Sequence, residues 1–139
     1  MKFNNIIKRI KSINPNIKFI GQFDDKNQKI GYWEIHCVGY YSSRGCYING
    51  LKEGNWETYH IDGTIRSKGH YKNNFKEGYW ERYWSKGNIE SKGNYINGNL
   101  DGDYYEFHSN GKLFLSGVFK NGYRDGKLNI FDYNGDEIK

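Results

Sequence analysis

The sequence contains four histidines and two cysteines, the side chains that most often bind metals or take part in catalysis. They are His36, His60, His70, His108, Cys37 and Cys46. His36, Cys37 and Cys46 could supply three metal ligands, but no C-x-x-C pair or other recognised zinc spacing accompanies them. Packing in the core or at the surface is the better interpretation, so we predict no metal site and no cofactor.

Glu57 and Glu81 form the most plausible pair of catalytic carboxylates. On neighbouring hairpins they would lie about 10 Å apart, which fits neither geometry of a glycosidase well. The residues at the same spacing further along the chain are Tyr105 and Asn129, which cannot serve in this way. The sequence also lacks a phosphate-binding P-loop, a nucleophile elbow and an H-E-x-x-H motif. We therefore predict a protein without catalytic activity and without a small-molecule substrate.

The candidate residues are positioned by an internal repeat of 24 residues. Blocks begin at Gly21, Gly45, Gly69, Gly93 and Gly117, and the first block is degenerate. In the other four, a third-position aromatic precedes Asn-Gly or Asn-Asn, pairs that are typical of tight hairpin turns. An acid followed by a second glycine then introduces another strand. Two strands per block predict about ten strands over residues 21–139, in one open, elongated antiparallel sheet.

Alternation within the strands predicts a core on one face of this sheet. In residues 88–95, apolar or small side chains alternate with polar ones, as expected for a strand with one buried face. Trp80 and Tyr83 break this pattern, because rings three residues apart would normally point to opposite faces. We expect a bulge or a local twist that brings both rings to the core face.

Residues 1–20 differ from the repeats. Phe3, Ile6, Ile7, Ile10 and Ile13 follow helical spacing, and the helix should end at Asn14-Pro15. We predict a short amphipathic helix that caps the open sheet. The alternative is that this helix makes weak contact with an anionic membrane.

The basic excess lies entirely in this N-terminal segment. Residues 1–20 contain five basic residues and no acid, so the remaining 16 bases balance all 16 acids. A neutral repeat region disfavours nucleic acid as the main ligand. The segment lacks an apolar stretch of signal-peptide length, so we expect reduced cysteines and a cytoplasmic location.

The pattern G-x-Y-x-N-G-x-x-x-G-x-W-x-x-Y-x-x-x-G-x-I resembles the MORN-repeat-variant family over about residues 21–139. It is carried in the third block by Gly69, Tyr71, Asn73, Gly78, Trp80, Tyr83, Gly87 and Ile89. Asn74 and Leu128 depart from the pattern. The resemblance implies a sheet of hairpins, and bacterial members are often described as antitoxins or immunity proteins. Eukaryotic relatives are linked to membrane and scaffold roles.

Residues that break the repeat are the best candidates for a binding site, because a shared core does not explain them. The candidates are Tyr79, Glu81, Arg82, Trp84 and Tyr105, and such residue types dominate interface hot spots. The alternative is that they widen the core locally.

The function we predict is the binding and blocking of one protein partner, a toxin or a nuclease-like effector, as by an antitoxin or immunity protein. A phage-encoded or mobile-element-encoded inhibitor of a bacterial defence nuclease is the second interpretation. A lipid-binding scaffold and a glycan binder that uses the aromatic rows are alternatives of other classes.

Overall fold

The computed structural model describes residues 17–37 and 42–139, which form strands, turns and no helix. The strands are β1 (Ile17–Phe23), β2 (Lys29–Cys37), β3 (Ser42–Ile48), β4 (Leu51–Tyr59), β5 (Ile65–Lys72), β6 (Phe75–Tyr83), β7 (Ile89–Ile96), β8 (Asn99–Phe107), β9 (Leu113–Lys120), β10 (Tyr123–Arg124) and β11 (Asn129–Ile130). They form one antiparallel sheet in which β1 to β10 follow chain order, and β11 also pairs with β9. The predicted open sheet of successive hairpins is confirmed.

The tight turns lie where the Asn-Gly and Asn-Asn pairs predict them. Asn49 and Gly50 both have a positive φ, 50° and 79°, and Asn73 and Asn74 have φ values of 50° and 71°. Two consecutive residues in the left-handed region give the type of turn whose twist matches that of the flanking strands. The turns therefore fix the register of each hairpin.

The last predicted strand is interrupted. β10 and β11 both pair with β9, and residues 125–128 between them lie outside the ladder. The predicted capping helix lies outside the described residues. β1 begins at Ile17, so the last four residues of the predicted N-terminal segment belong to the sheet.

The core is a continuous row of aromatic rings that runs across the strands, and each ring packs edge-to-face against the next. Phe23, Trp33, Tyr47, Trp56, Tyr71 and Trp80 follow one another with ring centroids 4.9–6.0 Å apart. Trp33, Trp56 and Trp80 are only 2 %, 1 % and 5 % exposed. Edge-to-face pairs suit the ring quadrupole and add to the gain from burial, so the row stabilises a sheet in which the described residues provide no second layer.

The glycine that opens each block makes room for this row. A Cβ on Gly69 would lie 2.2 Å from Cδ2 of the Trp80 ring, and one on Gly45 would lie 2.3 Å from the ring of Trp56. Gly93 faces the smaller Tyr104, where the corresponding distance is 2.8 Å. These glycines are thus required by packing, since the indole lies directly on the backbone.

The sheet has two different faces. We call the face that carries Trp33, Trp56 and Trp80 the tryptophan face. The opposite face carries Glu57 and Glu81, each next to a tryptophan in its strand, because successive side chains of a strand alternate. We call it the ladder face.

The expectation that Trp80 and Tyr83 share a face is wrong. A register shift does occur between Arg82 and Tyr83, but the extra residue is Glu90 in the neighbouring strand β7. β6 therefore keeps its alternation, and the Tyr83 hydroxyl donates a hydrogen bond of 2.5 Å to Glu81 on the ladder face.

Candidate functional site: the two faces of the sheet

A row of registered charges crosses the ladder face. From β2 to β8, successive partners across the strands are Glu34, Arg44, Glu57, Lys68, Glu81, Lys92 and Tyr105. Arg44 lies 2.6 Å from Glu57, and Lys68 lies 3.0 Å from Glu81. Opposite charges directly across a strand pair are favourable and set the register. Tyr105 ends the alternation where a fourth glutamate would stand.

Tyrosine hydroxyls complete the environment of the glutamates. Tyr59 donates a hydrogen bond to Glu57, and Tyr83 donates one to Glu81. These bonds, followed by the neighbouring cations Arg44 and Lys68, lower the pKa of both carboxyls. Burial, and then the bond to Glu57, raises the pKa of Tyr59 to about 12. Both glutamates are therefore held as carboxylates whose lone pairs are already engaged.

The predicted binding residues do not form a single cluster. Tyr79, Glu81 and Tyr105 lie on the ladder face, where Glu81 and Tyr105 both pair with Lys92. Arg82 pairs with Ser91 on the tryptophan face and forms an ion pair of 2.9 Å with Glu90. Trp84, two residues beyond Arg82 in the chain, lines a groove of about 490 Å³ together with Arg82.

A set of exposed apolar residues lies on the ladder face, and sequence reasoning identified only Tyr79 among them. Each is next to a core aromatic or a lysine of the tryptophan face, so alternation could have identified it. Tyr32, Ile48, Phe75, Tyr79 and Ile96 are exposed to between 47 % and 58 %. Aromatic and aliphatic side chains beside charges are the usual composition of a protein-binding surface.

Trp84 has a structural role that the repeat hides. Its indole Nε1–H donates to the carbonyl oxygen of Phe107 at 3.2 Å, 23 residues along the chain. His60 and His108 occupy the same repeat position, and each bonds through Nε2 to a carbonyl 23 residues on, at 2.8 Å and 3.1 Å. The position therefore selects a ring N–H donor that links neighbouring turns.

We predict that Trp84→His preserves this link, whereas Trp84→Leu removes it. The leucine variant should have a free energy of unfolding about 1 kcal/mol lower than that of the histidine variant, because the Phe107 carbonyl loses its hydrogen-bond donor. Urea denaturation followed by circular dichroism measures the difference. Equal stability of the two variants would show that the hydrogen bond contributes nothing.

The acid that precedes the second glycine also bonds to the next repeat. Glu53 accepts a hydrogen bond from the backbone N–H of Asn73 at 2.8 Å, and Glu77 accepts one from that of Asn97 at 3.0 Å. Asp101 accepts one from Asn121 at 3.2 Å. This repeated acid is thus a support for the turn.

The described residues contain neither a metal-binding cluster nor a helix suited to cross a membrane. Within residues 17–37 and 42–139, no three histidine, cysteine or acidic side chains lie close enough together to hold a metal ion. His36 instead bonds to Glu34 at 3.2 Å. The same residues contain no helix of the length and apolar character needed to cross a bilayer.

Comparison with known families identifies the repeat. The family described as MORN repeat variant matches three consecutive segments, residues 52–73, 76–97 and 100–121. Such repeats generally serve as modules for interaction with proteins or membranes. A search of curated proteins found no match to the chain.

Proposed function

We propose that this chain, which belongs to the MORN repeat variant family, binds one protein partner through its ladder face and blocks it without catalysis, as an antitoxin or immunity protein does. The supporting observation is the exposed apolar set on that face, Tyr32, Ile48, Phe75, Tyr79 and Ile96. Two of its members interact with the registered charge row, Tyr32 with Glu34 and Tyr79 with Glu81, and the row would give the interaction its specificity.

The ladder face suits a protein partner better than a glycan or nucleic acid. The charges of the row largely neutralise one another, as in the pairs Arg44–Glu57 and Lys68–Glu81, so the row offers no net attraction to a phosphate backbone. Tyr32 and Tyr79 are half exposed and can act as anchors. The exposed free thiol of Cys46 fits the cytoplasmic location that we propose.

The proposal is tested by exchanging residues between repeats, because each replacement already occurs at the equivalent position. Tyr79→Asn copies Asn55, and Tyr105→Glu copies Glu81; together they remove two rings from the ladder face. The matched control changes the tryptophan face. It combines Arg82→Thr, as at Thr58, with Trp84→His, as at His60.

Affinity purification from the organism that encodes the chain should recover a protein with the wild type and with the control pair. The ladder-face pair should lose it, and the recovered protein should be inhibited in its own activity by the wild type. If the control pair alone lost the protein, binding would use the tryptophan face, which would contradict the proposal. Recovery of lipid, glycan or RNA without protein, or of a protein that is not inhibited, would contradict the proposal.

A further inference from the structure

A row of three lysines lies over the aromatic core on the tryptophan face. Lys29, Lys52 and Lys76 each place the ammonium group between two rings, at 4.4–4.9 Å from the ring centroids. Lys52 pairs with Tyr47 and Lys76 with Tyr71, so both project on the core side. We call these three residues the lysine row.

The ammonium groups of the lysine row lack counter-ions. Among the described residues, none of the three ammonium groups forms a hydrogen bond or an ion pair, and the hydrogen bonds of these lysines are made by their backbones. Burial lowers the pKa of all three, and the positive charge of Lys29 lowers that of Lys52 further. Contact with a ring stabilises a cation but does not neutralise its charge.

The carboxylates of the same strands are engaged elsewhere. Glu34, Glu57 and Glu81 lie in the charge row of the ladder face. Glu53 and Glu77 accept hydrogen bonds from turn amides. The repeat region is neutral in total, yet its tryptophan face carries a line of unpaired positive charge.

We infer that the lysine row binds an acidic α-helix of a partner protein that lies across the strands. The three lysines lie on every second strand, β2, β4 and β6, which places successive lysines about 10 Å apart. Acidic residues seven positions apart on a helix share one side and lie about 10.5 Å apart. An extended partner segment fits less well. Its acids would have to be about three residues apart to match the lysines, and because side chains alternate along a strand, every second acid would point away from them.

A nucleic acid fits this row less well. Its phosphates follow one another at about 3.4 Å per strand in a duplex, so most would face no lysine. Single strands gain affinity from bases that stack on aromatic side chains. Trp33, Trp56 and Trp80 are at most 5 % exposed and have no free ring face to offer.

The test replaces charge while keeping the cover of the core. Leu100 occupies the repeat position of Lys52 and Lys76, so Lys52→Leu/Lys76→Leu uses a residue that the fold already accepts. Lys26→Leu/Lys86→Leu removes the same charge from exposed turns and is the matched control. The probe is a labelled helical peptide of about 20 residues with three glutamates seven positions apart, beside a peptide of equal composition with its glutamates on different sides.

Fluorescence anisotropy should show binding of the spaced peptide to the wild type and the control variant, with an affinity that falls as salt increases. The lysine-row variant should bind about tenfold more weakly, since two charge contacts are lost. Equal binding of both peptides, or equal loss in both variants, would overturn the inference. Binding to vesicles that contain phosphatidylserine but to neither peptide would do so too, by identifying a membrane ligand. Because Tyr79 and Tyr105 are unchanged, failure here leaves the ladder-face proposal intact.

Discussion

Replacing Trp56 by alanine is expected to lower the free energy of unfolding by about 3–5 kcal/mol. The indole is 1 % exposed, contacts the rings of Tyr47 and Tyr71 with centroids 5.1 Å and 6.0 Å away, and donates a hydrogen bond to the Cys46 carbonyl. Its removal interrupts the aromatic row, and no second layer of described residues can move in to fill the gap.

Such a loss is a large part of the stability of an ordinary domain, which is about 5–15 kcal/mol. Urea denaturation monitored by far-ultraviolet circular dichroism would measure it. Tyr79→Asn on the ladder face is the control and should change the free energy of unfolding by less than about 0.5 kcal/mol. A loss below about 1 kcal/mol for Trp56→Ala would mean that the row does not act as the core.

Gly69 and Gly78 should respond differently to the same substitutions, because they are glycines for different reasons. At Gly69 a Cβ meets the Trp80 ring, so alanine should cost about 2–3 kcal/mol and asparagine at least as much. Gly78 has open space but a φ of +70°. Asparagine tolerates that conformation, so Gly78→Asn should lower the free energy of unfolding less than Gly78→Ala.

Thermal unfolding of the four variants would check this pattern. Gly93→Ala provides a graded control, because its Cβ would come no closer than 2.8 Å to Tyr104. It should therefore destabilise the fold less than Gly69→Ala. If asparagine were tolerated at Gly69 as well as at Gly78, the argument from packing at the opening glycine would be refuted.

The repeat made most of the fold predictable from the sequence. Turn residues such as Asn49-Gly50 have a local cause, the left-handed conformation, and this cause is visible in the residue type. The side on which Tyr83 lies was not predictable. It depends on whether the extra residue of a bulge belongs to one strand or to its neighbour, and here Glu90 in β7 takes that place.

The candidate site was predictable only in part, for a similar reason. Departure from the repeat drew attention to Tyr79 and Tyr105, which share the ladder face with Glu81. It also selected Trp84, although histidine at the same position makes an equivalent bond. The residue at this position differs between these repeats, but histidine and tryptophan each supply a ring N–H. This shared role becomes visible only when the structure shows the carbonyl acceptor in the next repeat.

The bonds between neighbouring turns have a consequence for how such a gene can change in length. Each donor at the position of His60, Trp84 and His108 reaches an acceptor 23 residues on, and each supporting acid reaches an amide 20 residues on. A tandem duplication or deletion of 24 codons keeps every one of these distances. Recombination between repeats can therefore lengthen or shorten the binding surface in one step, without requiring compensating mutations at the junction.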